Sequence, residues 1–286
     1  MDDSTYLIIG AKGQLGTALK ERFPAARAVD SDELDITDTA AVASFDWSGI
    51  GTIINAAAYT NVDGAESAEG RVIAWRVNAS GVRNLADIAR QRDLTLFHIS
   101  SEYVFDGTRA PHTEDEPFSP LGVYAQTKAA GDIAASLAPK HYIIRTSWVI
   151  GEGKNFVRIM LGLGAKGISP AVVDDQTGRL TFTTELVRVV EHLLSTTPAY
   201  GTYNASNSGD VVSWAAVAGE VYRIGGYTEP VVNPTSTADY FADKPDASPR
   251  PLQSELDLTK LQSTGFTPRD WRDDMAAYIE KEQAGA

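Results

Sequence analysis

Within the first 23 residues a short apolar run, a spaced set of glycines and a helical pattern follow one another, and no other feature restricts the fold as much. Thr5-Tyr-Leu-Ile-Ile9 is apolar and short enough for a buried parallel strand. Gly10-Ala-Lys-Gly13-Gln-Leu-Gly16 follows at once, and Leu15, Ala18, Leu19 and Phe23 then recur at helical spacing. Strand, glycine turn and helix together are what a dinucleotide site requires. Gly10 would make the tight turn, Gly13 would let backbone approach a pyrophosphate, and Gly16 would allow close helix–strand packing. The helix N-terminus adds N–H groups and positive dipole. A glycine turn that serves packing alone is the competing reading.

Further strands and helices alternate after this unit. Ala28-Val29-Asp30 reads as the end of a second strand. Asp30 lies where an acidic residue reaches an adenosine ribose and favours NAD, while Arg27 nearby offers the opposite preference for NADP. Leu34 to Asp38 carries apolar residues at alternate positions and ends in a helix cap at Thr37 or Asp38. Gly51 to Ala58 reads as a core strand whose small Ala56, Ala57 and Ala58 would let a flat ligand lie on the backbone. A helix begins after Val77-Asn78-Ala79-Ser80. Thr95 to Ser101 is the next strand, with two hydroxyls at its C-terminal end, where open α/β sheets bind ligands. Tyr142 to Trp148 is a further strand.

The alternation to about residue 150 predicts an α/β doubly wound parallel sheet. We expect residues 1–150 to form this dinucleotide-binding unit. Residues 151–286 would form mainly a smaller substrate domain, with some segments returning to the first. Helices are expected at 155–163, 185–194, 214–224 and 271–279, a strand and turn at 171–178, and a surface loop at 233–251.

Tyr124 and Lys128 are four residues apart among helix formers, so they share one helical face. An ammonium beside a phenol favours the ionised phenol and would bring its pKa down from ~10, as a general acid near neutrality requires. The spacing alone is weak evidence: with 11 tyrosines and nine lysines in 286 residues, chance supplies about 0.3 such pairs. Tyr240 and Lys244 repeat it, but Pro245 disfavours helix there.

Composition narrows the chemistry. No cysteine is present, which excludes disulfides, thiolate metal sites and a cysteine nucleophile. Four scattered histidines form no ligand-spaced cluster. No apolar run reaches the ~18 residues of a membrane helix, and the N-terminus lacks a signal-peptide plan, so a cytoplasmic chain without a membrane partner is expected. A net charge of −13 argues against nucleic acid as partner.

Gly10, Gly13 and Gly16, then Asn78, Ser101, Tyr124 and Lys128, occur in the order of the extended short-chain dehydrogenase/reductase superfamily. Asn55-Ala-Ala-Ala-Tyr-Thr60, Ser100-Ser-Glu-Tyr-Val-Phe-Asp-Gly107, Arg145-Thr-Ser-Trp-Val149, Val172-Val-Asp-Asp-Gln176 and Arg250-Pro-Leu-Gln-Ser-Glu-Leu-Asp257 resemble the dTDP-4-dehydrorhamnose reductase family. The resemblance implies a Rossmann-type reductase of a dTDP-keto sugar, using NADPH or NADH. It implies Tyr124 as proton donor, Lys128 lowering the phenol pKa and holding the nicotinamide ribose, and Ser101 hydrogen-bonding the reacting oxygen. Ser101 and Glu102 stand where the family usually has threonine and aspartate. Glu102, Tyr103, Trp148 and Arg250 are implied at the nucleotide sugar, with a core aromatic as the alternative for Trp148. Gly13, Gln14, Leu15, Asp30, Asp35, Ile36, Ala58, Tyr59, Thr60 and Ile99 are implied at the cofactor. Some family members dimerise through magnesium held by carboxylates; no acidic motif of ligand spacing places a metal here. A homodimer, or fusion to another pathway enzyme, is compatible with the chain. Two other readings share the fold: a non-catalytic, dinucleotide-binding regulatory subunit, and a nucleotide-sugar epimerase or dehydratase.

Overall fold

The computed structural model describes residues 2–284. Its centre is a six-stranded parallel sheet. Strands β1 (Tyr6–Ile9), β2 (Arg27–Val29), β3 (Thr52–Asn55), β4 (Thr95–Ser101) and β5 (His141–Thr146) are joined by a sixth, Gly201–Asn204. The order is β2-β1-β3-β4-β5 with the sixth strand outside β5. The order reverses between β1 and β3, so the crevice for a ligand lies beyond the C-terminal ends of those two strands.

The central strands β1 and β3 are buried on both faces, and alternate residues feed two cores. Tyr6 and Ile8 point to one layer, with Leu15 and Leu19 of α1 (Gln14–Arg22) and Leu186, Val187 and Val190 of the helix Thr183–Thr196. Leu7 and Ile9 point to the other, with Val82, Leu85 and Ala86 of the helix Val82–Arg92 and Ala135 at the end of the helix Val123–Ala135. A third core, built from Met160, Val217, Val221, Trp271 and Met275, ties together the helices Phe156–Gly164, Trp214–Gly225 and Trp271–Ala284. No described helix is long and apolar enough to cross a membrane.

Three segments depart from the sequence reading. The helix expected after Ser80 is the end of a longer run that begins at Ala68 and passes through a π-helical stretch, Arg76–Gly81. The expected loop at 233–251 contains a strand, Asn233–Thr235, paired in parallel with Ala171–Val173, and a short helix, Thr237–Phe241. That helix is capped twice: Ser236 accepts from the N–H of Asp239, and Asp175, from a distant segment, accepts from the N–H of Thr237. The helix Thr259–Ser263 has too few residues to show a period.

The glycine turn is shaped by contact. Gly10 adopts φ +82° and lies against the backbone of Ala57 just beyond β3, where a Cβ would stand 2.6 Å from the Ala57 nitrogen. Gly16 lies against the Gly10 carbonyl, and a methyl there would come within 2.8 Å of the Ala11 Cα. Backbone on both sides cannot yield as a flexible side chain would. Gly16→Ala should therefore lower stability by roughly 1–3 kcal/mol, measurable by urea unfolding; an unchanged midpoint would contradict this packing.

Candidate active site

A cleft of about 760 Å³ opens at the C-terminal edge of the sheet. Gly13, Gln14 and Leu15 line it from the start of α1, Ala58 and Thr60 from beyond β3, and Ile99, Ser101, Glu102 and Tyr103 from the end of β4. After α1 come α2 (Thr39–Ser44), α3 (Ala68–Trp75), α4 (Val82–Arg92) and α5 (Val123–Ala135); Tyr124 and Lys128 line the cleft from α5, and Trp148 closes the far side. The sequence reading named all twelve.

Seven other named residues do not line the cleft and act on its frame. Gly10 and Gly16 make the packing contacts described above. Asp30 follows β2 and braces the glycine turn: its carboxylate accepts from the N–H of Lys12 and from that of Ser31, each at 2.8 Å. Burial raises its pKa, but these N–H groups outweigh that and hold it below the usual carboxylate range. Asp35 closes a local turn by accepting from the N–H of Thr37 at 2.8 Å. Ile36 is buried in the core against Gly81. Tyr59 is clamped through its backbone by Asn78, whose Oδ1 accepts from its N–H and whose Nδ2 donates to its carbonyl and to Thr127 Oγ1. Asn78 sits in the π-helical stretch and so joins the β3 loop to α5. Arg250 donates to the Ser248 carbonyl at 2.6 Å and to Asp63 at 2.7 Å, so its guanidinium is already paired.

Two expectations about charge are corrected. Arg27 opens β2, at the edge of the sheet away from the cleft, where it donates to the Asp46 carbonyl and lies 4.2 Å from the centre of the Phe45 ring. It cannot choose a cofactor from there. Nor does Lys128 draw down the Tyr124 phenol. Its Nζ is turned to the carbonyl of Ile99, 2.7 Å away. The phenol is instead pushed up, first by burial and then by the charge of Glu102, against a smaller opposing effect of the Ser101 hydroxyl. The proton is thereby retained for donation.

Lys128 is itself pushed down to about 8 by burial, with Asp132 acting in the opposite sense. Asp132, four residues further along the same face of α5, pairs with Arg145 of β5 at 2.8 Å, both nearly inaccessible. Glu102 is driven up to about 7 by burial, against hydrogen bonds that favour its charged form. The spacing of Tyr240 and Lys244 makes only a surface cation–π contact, 3.7 Å from ammonium to ring centre.

The cleft also includes residues the sequence reading did not single out: Lys12, Thr146, Glu152, Lys154 and Trp214. Trp214 stacks on Trp148 at 3.8 Å, with Trp148 at φ +47°. A tryptophan opening an amphipathic helix carries no mark of this in sequence. Among the described residues, no group of three histidine or acidic side chains could hold a metal.

A dinucleotide fits what is present. The first turn of α1 follows a glycine N-cap with no side-chain cap, and the buried Oε1 of Gln14 has no partner.

A family model described as RmlD substrate binding domain matches residues 4–284. The dTDP-4-dehydrorhamnose reductase of Aggregatibacter actinomycetemcomitans is 38% identical over 291 residues, covering 93% of this chain and 95% of the relative. A crystal structure of a dTDP-4-dehydrorhamnose reductase from Clostridium acetobutylicum superposes with a TM-score of 0.89 at 35% identity, covering 97% and 99% of the two chains. That of the Bacillus anthracis enzyme in complex with NADP gives 0.88 at 33%, covering 97% and 98%. The chain thus belongs to the dTDP-4-dehydrorhamnose reductase family.

Proposed function

We propose that this protein reduces the C4 ketone of dTDP-4-dehydro-L-rhamnose to give dTDP-L-rhamnose, using NADPH or NADH. The observation that carries the reading is the meeting of Tyr124, Lys128 and Ser101 in the cleft onto which the glycine turn opens. Gly13, Gln14 and Leu15, with Ala58, Thr60 and Ile99, would hold the dinucleotide. When bound it supplies the hydride.

The remaining chemistry belongs to the protein. A ketone that gains hydride develops negative charge on oxygen, and donors placed at that oxygen stabilise the transition state more than the ground state. Tyr124 delivers its proton to the oxygen and becomes a phenolate. Lys128, one turn along the same helix, would hold the nicotinamide ribose, and solvent returns the proton. Ser101 supplies a second donor. Trp148, stacked on Trp214, forms an apolar wall for the sugar. Residues 1–150 would hold the cofactor and residues 151–286 most of the nucleotide sugar, with the strand Gly201–Asn204 and the helix Thr183–Thr196 completing the first unit. Arg250 would exchange Asp63 for a phosphate of the substrate.

The purified protein should oxidise NADPH when dTDP-4-dehydro-L-rhamnose is added, as followed by cofactor absorbance. Tyr124→Phe should lose about 10²–10⁴-fold in kcat while NADPH binding by fluorescence is retained; unchanged turnover would reject the acid. A protein that binds NADPH but consumes none would favour a regulatory subunit or a cofactor-recycling epimerase. Arg250→Ala should raise KM by about tenfold, the loss expected for a charge-assisted hydrogen bond, with kcat little changed; an unaltered KM would remove Arg250 from the substrate site.

A further inference from the structure

Ser101 and Glu102 sit side by side at the end of β4 and share one hydrogen bond. Ser101 Oγ donates to Glu102 Oε2 at 2.8 Å and accepts from the N–H of Tyr103 at 3.2 Å. Glu102 is only 3% exposed. Its hydrogen-bonding surroundings are the hydroxyls of Ser101 and Ser254 and the N–H groups of Glu102 and Tyr103, with no cation among them.

A serine hydroxyl has one proton. While that proton is given to a carboxylate, none is left for a ketone oxygen. An ionised carboxylate at this point also opposes the negative charge that develops on the substrate. Both difficulties vanish if the carboxyl carries a proton: it then donates to Ser101 Oγ, and the serine proton turns outward.

We propose that Glu102 is a positioning residue that works as a neutral acid, its carboxyl proton held by Ser101 Oγ so that the serine hydroxyl donates to the ketone oxygen. No net proton transfer is involved; the direction of one hydrogen bond reverses. The inference rests on the reading of the cleft as a ketone-reducing site. Burial brings the carboxyl to about 7, so both forms are accessible near neutrality. The other titratable groups facing it are Tyr103 on its own turn and Tyr124 on α5, with Arg250 and Asp63 beyond Tyr103. Lys128, one turn along α5 from Tyr124, titrates near 8.

The test compares kcat against pH for the wild-type protein and for Glu102→Gln, with saturating NADPH and dTDP-4-dehydro-L-rhamnose. The wild-type rate should fall about tenfold per pH unit above about 7. Glu102→Gln, whose amide still donates to Ser101 but does not titrate, should begin to fall only near 8, where Lys128 loses its proton. The shape of the profile is the readout, not its height. A fall from 7 retained in Glu102→Gln would overturn the proposal. Infrared difference spectra decide it without turnover. At about pH 6 the wild type should show a protonated-carboxyl band that disappears toward about pH 9. The band should move to higher frequency in Ser101→Ala, where its acceptor is gone. Absence of that band at about pH 6 overturns the proposal, even in a protein that consumes no NADPH, a result that would independently defeat the reductase reading.

Discussion

One contact sets the geometry of the cleft: the ammonium of Lys128 buried beneath the end of β4, with the Ile99 carbonyl as its acceptor. Burying a charge is costly unless it is hydrogen-bonded and electrostatically supported. The support comes from the same helical face. Asp132, one turn on, lies close enough to favour the charged lysine and is neutralised in turn by Arg145 of β5. Tyr124, one turn back, is thereby set at the strand C-terminus. The i, i+4, i+8 row of α5 therefore runs from the reacting group through a buried cation to a structural ion pair in the core. Behind it His98 is kept neutral by burial and by the charge of Lys128.

The opposite wall depends on an absence of side chains. Gly10 and Gly16 bring the β1–α1 turn hard against the end of β3, and Asp30 fastens it by accepting from the N–H of Lys12. The first N–H groups of α1 are left to face the cleft. The two walls differ in kind. One is backbone and positive dipole, suited to a diphosphate. The other is a row of titratable side chains whose pKa values burial shifts: Tyr124 upward, Lys128 down to about 8 and Glu102 up to about 7.

Much of this was legible in the chain. The strand–glycine–helix unit is local, and so is the spacing of Tyr124 and Lys128; short-range periodicity carries both. The parallel sheet followed from alternation, although its sixth strand, Gly201–Asn204, lies beyond the alternating region. What escaped depends on distant partners. Spacing placed an ammonium beside a phenol, but it could not show that Nζ turns to the Ile99 carbonyl, because that acceptor lies 29 residues away on another element. Asp30 was placed near an adenosine ribose by its distance to the glycines, and its two backbone donors, on Lys12 and Ser31, could not be read from that distance. Trp214 entered the cleft only through stacking on Trp148, and nothing periodic announces such a contact. The π-helical stretch that positions Asn78 is likewise invisible to a 3.6-residue period.

The central claim is that the protein brings a hydride donor and a proton donor to one carbonyl, with the phenol of α5 as the proton donor. The most direct measurement is turnover with NADPH deuterated at its reactive carbon, followed by mass spectrometry of the sugar product. The account predicts one deuterium fixed at C4 for each NADP formed. A product without that deuterium, or reaction with no net NADP formation, would contradict it.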